Sequence, residues 1–294
     1  MKRKSLWLVL FFVVLFVGAA FLFGLCASFF SNFSDEPNNV FSRGNVALVL
    51  IEGEILDSQD VIDALQEARK ENHIKGVLLR LNSPGGAVAP SQEILHEVER
   101  VAAKKPVVAS MGSLAASGAY YIAVGATKIV ANPGTVTGSI GVRMDHVEFG
   151  GLLKWARIGH ETLKSGKYKD LAPLDRPMTE EERKILQDVL ADIHAQFKED
   201  VATRRKLDKR KVDELADGRI FTGRQALELG LVDELGSFSD ALILVGKLAG
   251  IEGEPKLVTF EKSKLKFLER FFESVDLLTK AFHSEESSKP VLRY

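Results

Sequence analysis

The run from Gly112 to Ala123 places one hydroxyl, that of Ser117, among glycine and alanine residues that are too small to cover it. Small neighbours let a second backbone come close, as an acyl substrate must when its carbonyl carbon meets a serine oxygen. Tight packing at the start of a helix would produce the same composition. Ser117 is therefore a candidate nucleophile, and the case for it depends on the partners that the rest of the chain supplies.

A serine nucleophile needs donors that stabilise the oxyanion formed during its attack. The turn from Asn82 to Gly86 could supply one, because Pro84 fixes one dihedral angle and the glycines permit positive ones. Its position after a buried strand would leave the Gly86 amide pointing into a cleft at the carboxyl end of a parallel sheet. The alternative is a plain strand-to-helix turn, so this motif gains weight only from its pairing with Ser117.

A base must also remove the serine proton. A Ser-His-Asp triad would need a histidine, but the six histidines stand in predominantly charged or helical contexts without an evident companion. They are His73, His96, His146, His160, His194 and His283. Lysine is the other available base, and burial in an apolar site can lower a lysine pKa enough to keep the amine neutral. Lys164, Lys167 and Lys169 are candidates, although their spacing is equally typical of solvated loop lysines.

The elements that would position these residues alternate between strands and helices. Val46 to Ile55 is predicted as a strand, Asp57 to Asn72 as an amphipathic helix, and Ile74 to Leu81 as a strand buried on both faces. Further helices are predicted at 90–103, 146–158, 179 to beyond 200, 209–216 and 224–229, and further strands at 106–110, 128–131 and 139–143. The alternation predicts an α/β domain over residues 44–260, with a mostly parallel sheet covered by helices.

Ahead of this domain, residues 6–30 are 25 consecutive uncharged residues, enough to cross the hydrocarbon layer of roughly 30 Å at about 1.5 Å per residue. Basic residues at 2–4 precede the stretch and Asp35 and Glu36 follow it, which predicts a cytoplasmic N-terminus and an exported domain. A cleaved signal peptide is the alternative, but its apolar region would be shorter, about 7 to 15 residues. We therefore expect a single-pass anchor in the bacterial cytoplasmic membrane, followed by a polar linker over 31–43.

Composition argues against several other classes of protein. The net charge of -1, without a basic stripe interleaved with aromatic residues, disfavours a nucleic-acid partner. The single cysteine, Cys26, can form neither an intramolecular disulfide nor a cysteine cluster for zinc. Within a C-terminal segment over 261–294, residues 264–282 carry an apolar stripe opposite Lys and Glu. This stripe predicts a helix used for assembly or, as a second choice, for contact with a membrane surface.

Five stretches of the chain together resemble the signal peptide peptidase A family. They are Ser-Pro-Gly-Gly at 83–86, Met-Gly-Ser-Leu-Ala-Ala-Ser-Gly-Ala-Tyr-Tyr at 111–121, Thr-Gly-Ser-Ile-Gly-Val at 137–142, Lys-Ser-Gly-Lys-Tyr-Lys-Asp at 164–170 and Ala-Asp-Gly-Arg-Ile-Phe-Thr-Gly-Arg-Gln-Ala at 216–226. They follow the family's order over about residues 45 to 245, and the combination is more specific than any one motif. Two departures, Ala87 and Ala119 where relatives have glycine, touch no reacting group.

The resemblance implies the Clp protease/crotonase fold and a set of roles. Ser117 would be the nucleophile, Lys169 the general base, and Ser139 the hydrogen-bond partner that orients the lysine amine. Gly86 and Gly118 would offer the oxyanion amides. No metal or organic cofactor is implied. In short members of the family the resemblance implies a homo-oligomeric ring, in which the serine of one subunit meets the lysine of its neighbour.

These inferences lead to a membrane-anchored serine endopeptidase that hydrolyses remnant signal peptides and other membrane-associated peptides through a Ser-Lys dyad. Two other classes stay open. A crotonase-like acyl-CoA enzyme would share the fold, although CoA is cytoplasmic and the domain is predicted to be exported. A non-catalytic membrane scaffold would keep the fold and form rings through residues 264–282.

Overall fold

A computed structural model of the chain describes residues 44–260. The predicted membrane anchor over 6–30, the linker over 31–43 and the C-terminal segment over 261–294 lie outside the described residues. Between residues 44 and 260, no helix has the length and apolar character required to cross a membrane.

Strands and helices alternate through the first half of the domain, as their hydrophobic periodicities predict. The order is β1 (Val46–Ile55), α1 (Gln59–Lys70), β2 (Gly76–Gly86), α2 (Val88–Ala102), β3 (Val107–Ala116), α3 (Gly118–Ala123), β4 (Lys128–Ala131), β5 (Val136–Gly138) and α4 (Gly150–Trp155). The second half comprises α5 (Glu180–Arg205), α6 (Lys209–Leu215), β6 (Ile220–Thr222), α7 (Gly223–Leu229), β7 (Glu234–Leu235), α8 (Phe238–Leu248) and β8 (Leu257–Thr259).

The strands form one sheet in the order β6-β5-β3-β2-β1-β8, with β4 paired to both β3 and β7. Every pairing is parallel except that of β5 with β6, so the predicted α/β class with a mostly parallel sheet is confirmed. The first half of β3 pairs with β4, whereas its last three residues pair with β5. β3 therefore changes neighbours immediately before Ser117.

Helices cover both faces of the sheet because successive side chains of a strand point in opposite directions. On β2, Val77 and Leu79 enter the larger core cluster, which includes side chains of α1 and α2. Leu78 enters the smaller cluster together with Ala241 and Val245 of α8. The prediction that β2 is buried on both faces is confirmed.

Two predicted elements are wrong in detail. Residues 139–143 were expected to be a strand, but the regular strand is β5 and the backbone turns at Ser139, whose φ is 52°. The helix predicted over 146–158 is reduced to α4, and many of its apolar side chains are exposed, including that of Trp155. An amphipathic stripe becomes helical mainly when its apolar face is buried, and within one copy of this domain that face has little to pack against.

The long helix α5 begins as its capping signals predict. The Thr179 hydroxyl accepts the Glu182 N–H at 3.2 Å, and the Glu182 carboxylate accepts the Thr179 N–H at 2.8 Å. Arg176 donates to the same carboxylate at 2.7 and 2.9 Å and to Asp170 at 3.0 Å. These contacts connect the start of α5 to the irregular segment that precedes it.

Candidate active site

Ser117 occupies the single residue between β3 and α3, at the carboxyl end of the sheet. Its φ of 53° and ψ of -120° resemble the first central residue of a type II′ turn, a conformation that glycine adopts more easily than serine. The Ser117 N–H donates to the Gly138 carbonyl at 2.8 Å, and the Ser117 carbonyl accepts from Tyr121 at 2.8 Å. A non-glycine residue in such a conformation costs on the order of 1–3 kcal/mol and needs the surrounding structure to hold it.

The turn at the end of β2 approaches Ser117 so closely that only glycines fit. A Cβ on Gly85, whose φ is 98°, would lie 2.6 Å from the Gly118 nitrogen and 2.9 Å from the Ser117 Cβ. A Cβ on Gly118 would lie 3.3 Å from the Gly86 nitrogen. The buried Ser83 hydroxyl accepts the Gly85 N–H at 3.1 Å and holds this turn. The backbones of Gly86 and Gly118 therefore meet beside the Ser117 side chain.

Ser139 directly follows β5 and lines the same cleft as Ser117. Its N–H donates to the Arg219 carbonyl at 2.8 Å, where the chain enters β6. Gly138, with a φ of 81°, precedes it, and a Cβ there would lie 2.6 Å from the Phe221 ring. Two successive left-handed residues thus turn the chain sharply at the end of β5 and direct Ser139 toward the cleft, which it lines.

These residues line a cleft of about 1010 Å³. Ser117, Ser139, Gly86 and Gly118 all contribute to it. Its largest apolar side chains, from five separate segments of the chain, are Leu56, Val88, Tyr121, Val142, Ile193 and Phe197. Polar and charged side chains line the rest of the cleft, which is large enough to hold a segment of an extended peptide.

Sequence reasoning did not assign Tyr121 or the α5 residues Ile193 and Phe197 to the site. Tyr121 packs edge-on against Phe197, with ring centroids 4.8 Å apart, and its hydroxyl donates to Asp200. Burial, together with the Asp200 carboxylate, raises the pKa of Tyr121 far above its usual range, so the phenol stays protonated and does not act as a base. The 3.6-residue periodicity of α5 could identify Ile193 and Phe197 as inward-facing but not the neighbour they would face.

Lys169 lies elsewhere. It is exposed, its N–H donates to the Gly166 carbonyl at 3.1 Å, and it is not among the residues that line the cleft. Within residues 44–260 its amine forms no hydrogen bond or ion pair, whereas Lys164 pairs with Asp170 at 2.6 Å and Lys167 pairs with Glu181. One copy of the domain therefore brings together four of the five predicted site residues and leaves the lysine outside.

The cleft is also lined by the charged side chains of Glu54, Arg143, Asp145 and Asp217. Asp145 lies 3.5 Å from Arg143, and the carboxylate of Asp217 accepts hydrogen bonds from Arg219. This contact lowers the pKa of Asp217 to about 2, so Asp217 stays charged and does not donate a proton near neutral pH. Between residues 44 and 260 there is no group of three or more His, Cys, Asp or Glu side chains arranged to hold a metal ion.

Comparison with known proteins identifies the family to which the chain belongs. Residues 99–252 match the model of peptidase family S49, and residues 39–135 match the model of the Clp protease family. A candidate protease of Synechocystis sp. is 42% identical over 231 residues, which cover 78% of this chain and 83% of that protein.

Two further relatives are similar over a comparable stretch. A candidate signal peptide peptidase SppA of Enterococcus faecium is 39% identical over 70% of this chain and 57% of its own length. The chloroplastic serine protease SPPA of Arabidopsis thaliana is 32% identical over 72% of this chain and 32% of its own length. Because the S49 model matches more than half of the chain and the Synechocystis relative is covered over most of its length, this chain belongs to peptidase family S49 and is a serine protease.

Proposed function

We propose that this protein is a membrane-anchored endopeptidase that cleaves remnant signal peptides and other membrane-associated peptides with a Ser117–Lys169 dyad. The observation that carries the proposal is the conformation of Ser117, which is held between β3 and α3 against Gly85, beside the place where the backbones of Gly86 and Gly118 meet. A serine that only filled space would not need a left-handed backbone, and alanine or glycine would serve as well.

In the proposed reaction, the Ser117 hydroxyl attacks the scissile carbonyl while a neutral lysine amine takes its proton. The Gly86 and Gly118 N–H groups donate to the oxyanion, which is formed where their backbones meet. The protonated lysine then gives its proton to the leaving amine and an acyl-enzyme remains. The same amine next activates a water molecule, which releases the acyl group and restores Ser117.

Among the three lysines of the motif at 164–170, the contacts favour Lys169 as the base. Lys164 and Lys167 each contact a carboxylate, which holds a lysine in its protonated form. Tyr168 also donates to Glu181, and the Lys167 amine lies over the Tyr168 ring. Lys167 is therefore held by two neighbours in a surface cluster. The Lys169 amine has no such partner within the described part of the chain, which leaves it available to a second subunit.

A site shared between subunits accounts for a lysine that stands outside the cleft of its own chain. The segment from Met144 to Leu174 exposes an unusual series of large apolar side chains, among them Trp155 at 82% and Leu163 at 89%. Exposed apolar clusters of this kind mark interfaces between proteins. Packing of this segment on the next copy of a ring would bury these side chains and carry Lys169 to the neighbour's Ser117.

The substrate class follows from the cleft wall and the family. The apolar side chains of Tyr121, Ile193 and Phe197 suit the apolar core of a signal peptide. The name of the Enterococcus relative points to the same substrates. An anchor over residues 6–30 would hold the domain outside the cytoplasm beside the membrane in which such remnants remain.

Membership of a peptidase family argues against the acyl-CoA alternative, since the family's chemistry is peptide hydrolysis. The constrained backbone of Ser117 argues against the non-catalytic scaffold, because a scaffold needs no serine held in a costly conformation. Of the three candidate functions, we therefore propose peptide hydrolysis.

Covalent labelling with a fluorophosphonate probe tests the nucleophile. Wild-type protein should be labelled once per chain, Ser117→Ala should not be labelled, and Ser113→Ala, a change in the same strand, should be labelled like the wild type. The labelling rate should rise with deprotonation of a group well below the reference lysine pKa of about 10.4. Labelling of Ser117→Ala at the wild-type rate would contradict the proposal.

A further inference from the structure

The turn Asp217-Gly218-Arg219 belongs to the motif at 216–226, to which the proposed reaction gives no role. Hydrogen bonds join the first and last residues of the turn. The Arg219 N–H donates to Asp217 Oδ1 at 3.0 Å, and Arg219 Nε donates to both carboxylate oxygens at 2.8 Å. Gly218 between them has a φ of 87°, a conformation that glycine adopts without strain. The carboxylate of Asp217 therefore fixes both the main chain and the side chain of Arg219.

The same turn is the support on which Ser139 rests. The Arg219 carbonyl accepts the Ser139 N–H at 2.8 Å, and the next residue, Ile220, pairs with Gly138 across the antiparallel β5·β6 ladder. The Gly138 carbonyl in turn accepts the Ser117 N–H at 2.8 Å. Two hydrogen-bonded steps thus connect the Asp217 turn to the backbone of the nucleophile.

Left-handed backbone at Ser139 makes this support necessary. Its φ of 52° is costly for serine, so Ser139 keeps this conformation only while its neighbours hold it. The Arg219 carbonyl is the contact on the β6 side, and it stands two residues from the Asp217 carboxylate that fixes it.

We propose that Asp217 is a positioning residue that acts through Arg219 to hold Ser139, and thereby the base, in its reactive arrangement. The inference rests on the proposed function, because Ser139 matters only if a lysine amine must be oriented. Asp217 also lines the cleft, which raises a rival role as a substrate contact. The two roles predict different kinetics: loss of position lowers kcat, whereas loss of a uniform substrate contact raises KM.

Two substitutions at position 217 separate the contributions of shape and charge. Asp217→Asn keeps an oxygen that can accept the Arg219 N–H but loses the ion pair, and an exposed pair of this kind contributes little by itself. Asp217→Ala loses both contacts. For a misplaced catalytic group we expect kcat of Asp217→Ala to fall on the order of 10²-fold with KM changed less than about threefold. Asp217→Asn should keep at least about a third of the wild-type kcat.

The pH profile gives a readout that a merely structural role would not move. A Ser139 hydroxyl that donates to the amine stabilises its neutral form. Its displacement should shift the acid limb of kcat/KM to higher pH in Asp217→Ala, in the same direction as in Ser139→Ala. Asp217 itself is ionised throughout this range, since its pKa is about 2.

Asp208→Ala is the matched control. Asp208 accepts the N–H of Arg210 two residues ahead at 2.9 Å, which is the contact that Asp217 makes with Arg219, but it does not line the cleft. This variant should keep the wild-type kcat and pH profile. Thermal unfolding of each variant verifies that it is folded, and if Asp217→Ala does not fold, Asp217→Glu provides the comparison, because it keeps the charge but displaces the carboxylate from the Arg219 N–H and should lower kcat in the same way.

A raised KM with unchanged kcat and an unshifted pH profile in Asp217→Ala would overturn the inference. So would a kcat equal to that of Asp208→Ala. Failure of the proposed function would look different: Ser117→Ala and Ser139→Ala would themselves keep peptide hydrolysis. A loss of activity in those two variants with none in Asp217→Ala would reject the inference alone.

Discussion

At the scale of single residues, the site depends on backbone conformations that side chains normally avoid. Ser117 and Ser139 both have positive φ, at 53° and 52°, and each is held by a hydrogen bond from its own N–H. Gly85 and Gly118 lack side chains where the two backbones meet. Strain of this kind is found where function requires a group to be presented in one orientation.

Strain at Ser117 predicts that two inactive variants differ in stability. Ser117→Gly removes the nucleophile and relieves the left-handed backbone, whereas Ser117→Ala removes the nucleophile and keeps the strain. After allowance for the greater freedom of glycine in the unfolded chain, Ser117→Gly should be the more stable by about 1 kcal/mol. Urea unfolding of both variants measures this difference. Equal stability, or a less stable Ser117→Gly, would show that the serine backbone is not strained.

The close approach at Gly118 predicts a rescue. A Cβ at this position would lie 2.5 Å from the Ser91 hydroxyl, so Gly118→Ala should displace the oxyanion amide and lower kcat/KM on the order of 10²-fold. Ser91→Ala removes the clashing oxygen, and the double variant should recover about tenfold of the loss. Peptide hydrolysis by the two single variants and the double variant measures the coupling. Strictly additive losses would contradict this explanation.

At the scale of elements, strand and helix periodicity predicted the mostly parallel sheet and the capping signal predicted the start of α5. The small residues around Ser117 and the turn ending at Gly86 also pointed to a cleft at the carboxyl end of the sheet. Periodicity could not predict that β2 and β3 continue to Gly86 and Ala116, because pairing with neighbouring strands extends them beyond their apolar runs. Ser139, and the choice of Lys169 among the three candidate lysines, were implied by resemblance, since nothing in their local sequence shows which distant residues they meet.

The contacts at the start of α5 predict a pH-dependent contribution to stability. Hydrogen bonds from Arg176, and then from the Thr179 N–H, lower the pKa of Glu182 to about 2 from its ordinary value of 4.5. A carboxyl group whose pKa is lower in the folded than in the unfolded protein stabilises the fold at pH values above its unfolded pKa. This contribution is lost as the pH falls through the folded pKa. Arg176→Met should therefore melt below the wild type at pH 7, and the gap should narrow between about pH 4.5 and pH 2.

Thermal unfolding of the wild type and Arg176→Met at pH 7, 4.5, 3 and 2 measures this gap. Lys184→Met is the control, because Lys184 pairs with Asp188 on the surface of the same helix but not at its start. A gap that stays constant across the series would show that the Glu182 contact does not contribute in this way.

At the scale of the whole molecule, one chain places Ser117 in the cleft and leaves Lys169 outside it. The apolar segment between Met144 and Leu174 includes Lys169, whose amine has no partner within residues 44–260, so the proposed interface would bury the segment and deliver the lysine. The sequence predicted a longer helix over 146–158, and the structure shortens it to Gly150–Trp155 because its apolar side chains stay exposed within one copy.

Assembly and activity should therefore be lost together. Leu163→Glu places a charge on a side chain that is 89% exposed in one copy but would be buried in the ring. We expect this variant to sediment as a smaller species and to lose peptide hydrolysis while keeping its secondary structure. Ile243→Glu, a change at an exposed apolar residue of α8 outside the segment, should alter neither property. A fully active, dissociated Leu163→Glu would show that one chain suffices.

The most direct test of the shared Ser117–Lys169 site is to co-express Ser117→Ala and Lys169→Ala with different tags and to purify the oligomers that carry both. Each variant alone should be inactive. In a randomly mixed ring with equal amounts of both, about a quarter of the interfaces would join an intact serine to an intact lysine, so about a quarter of the wild-type activity should return. Mixed oligomers that form normally and stay as inactive as the single variants would contradict the shared site.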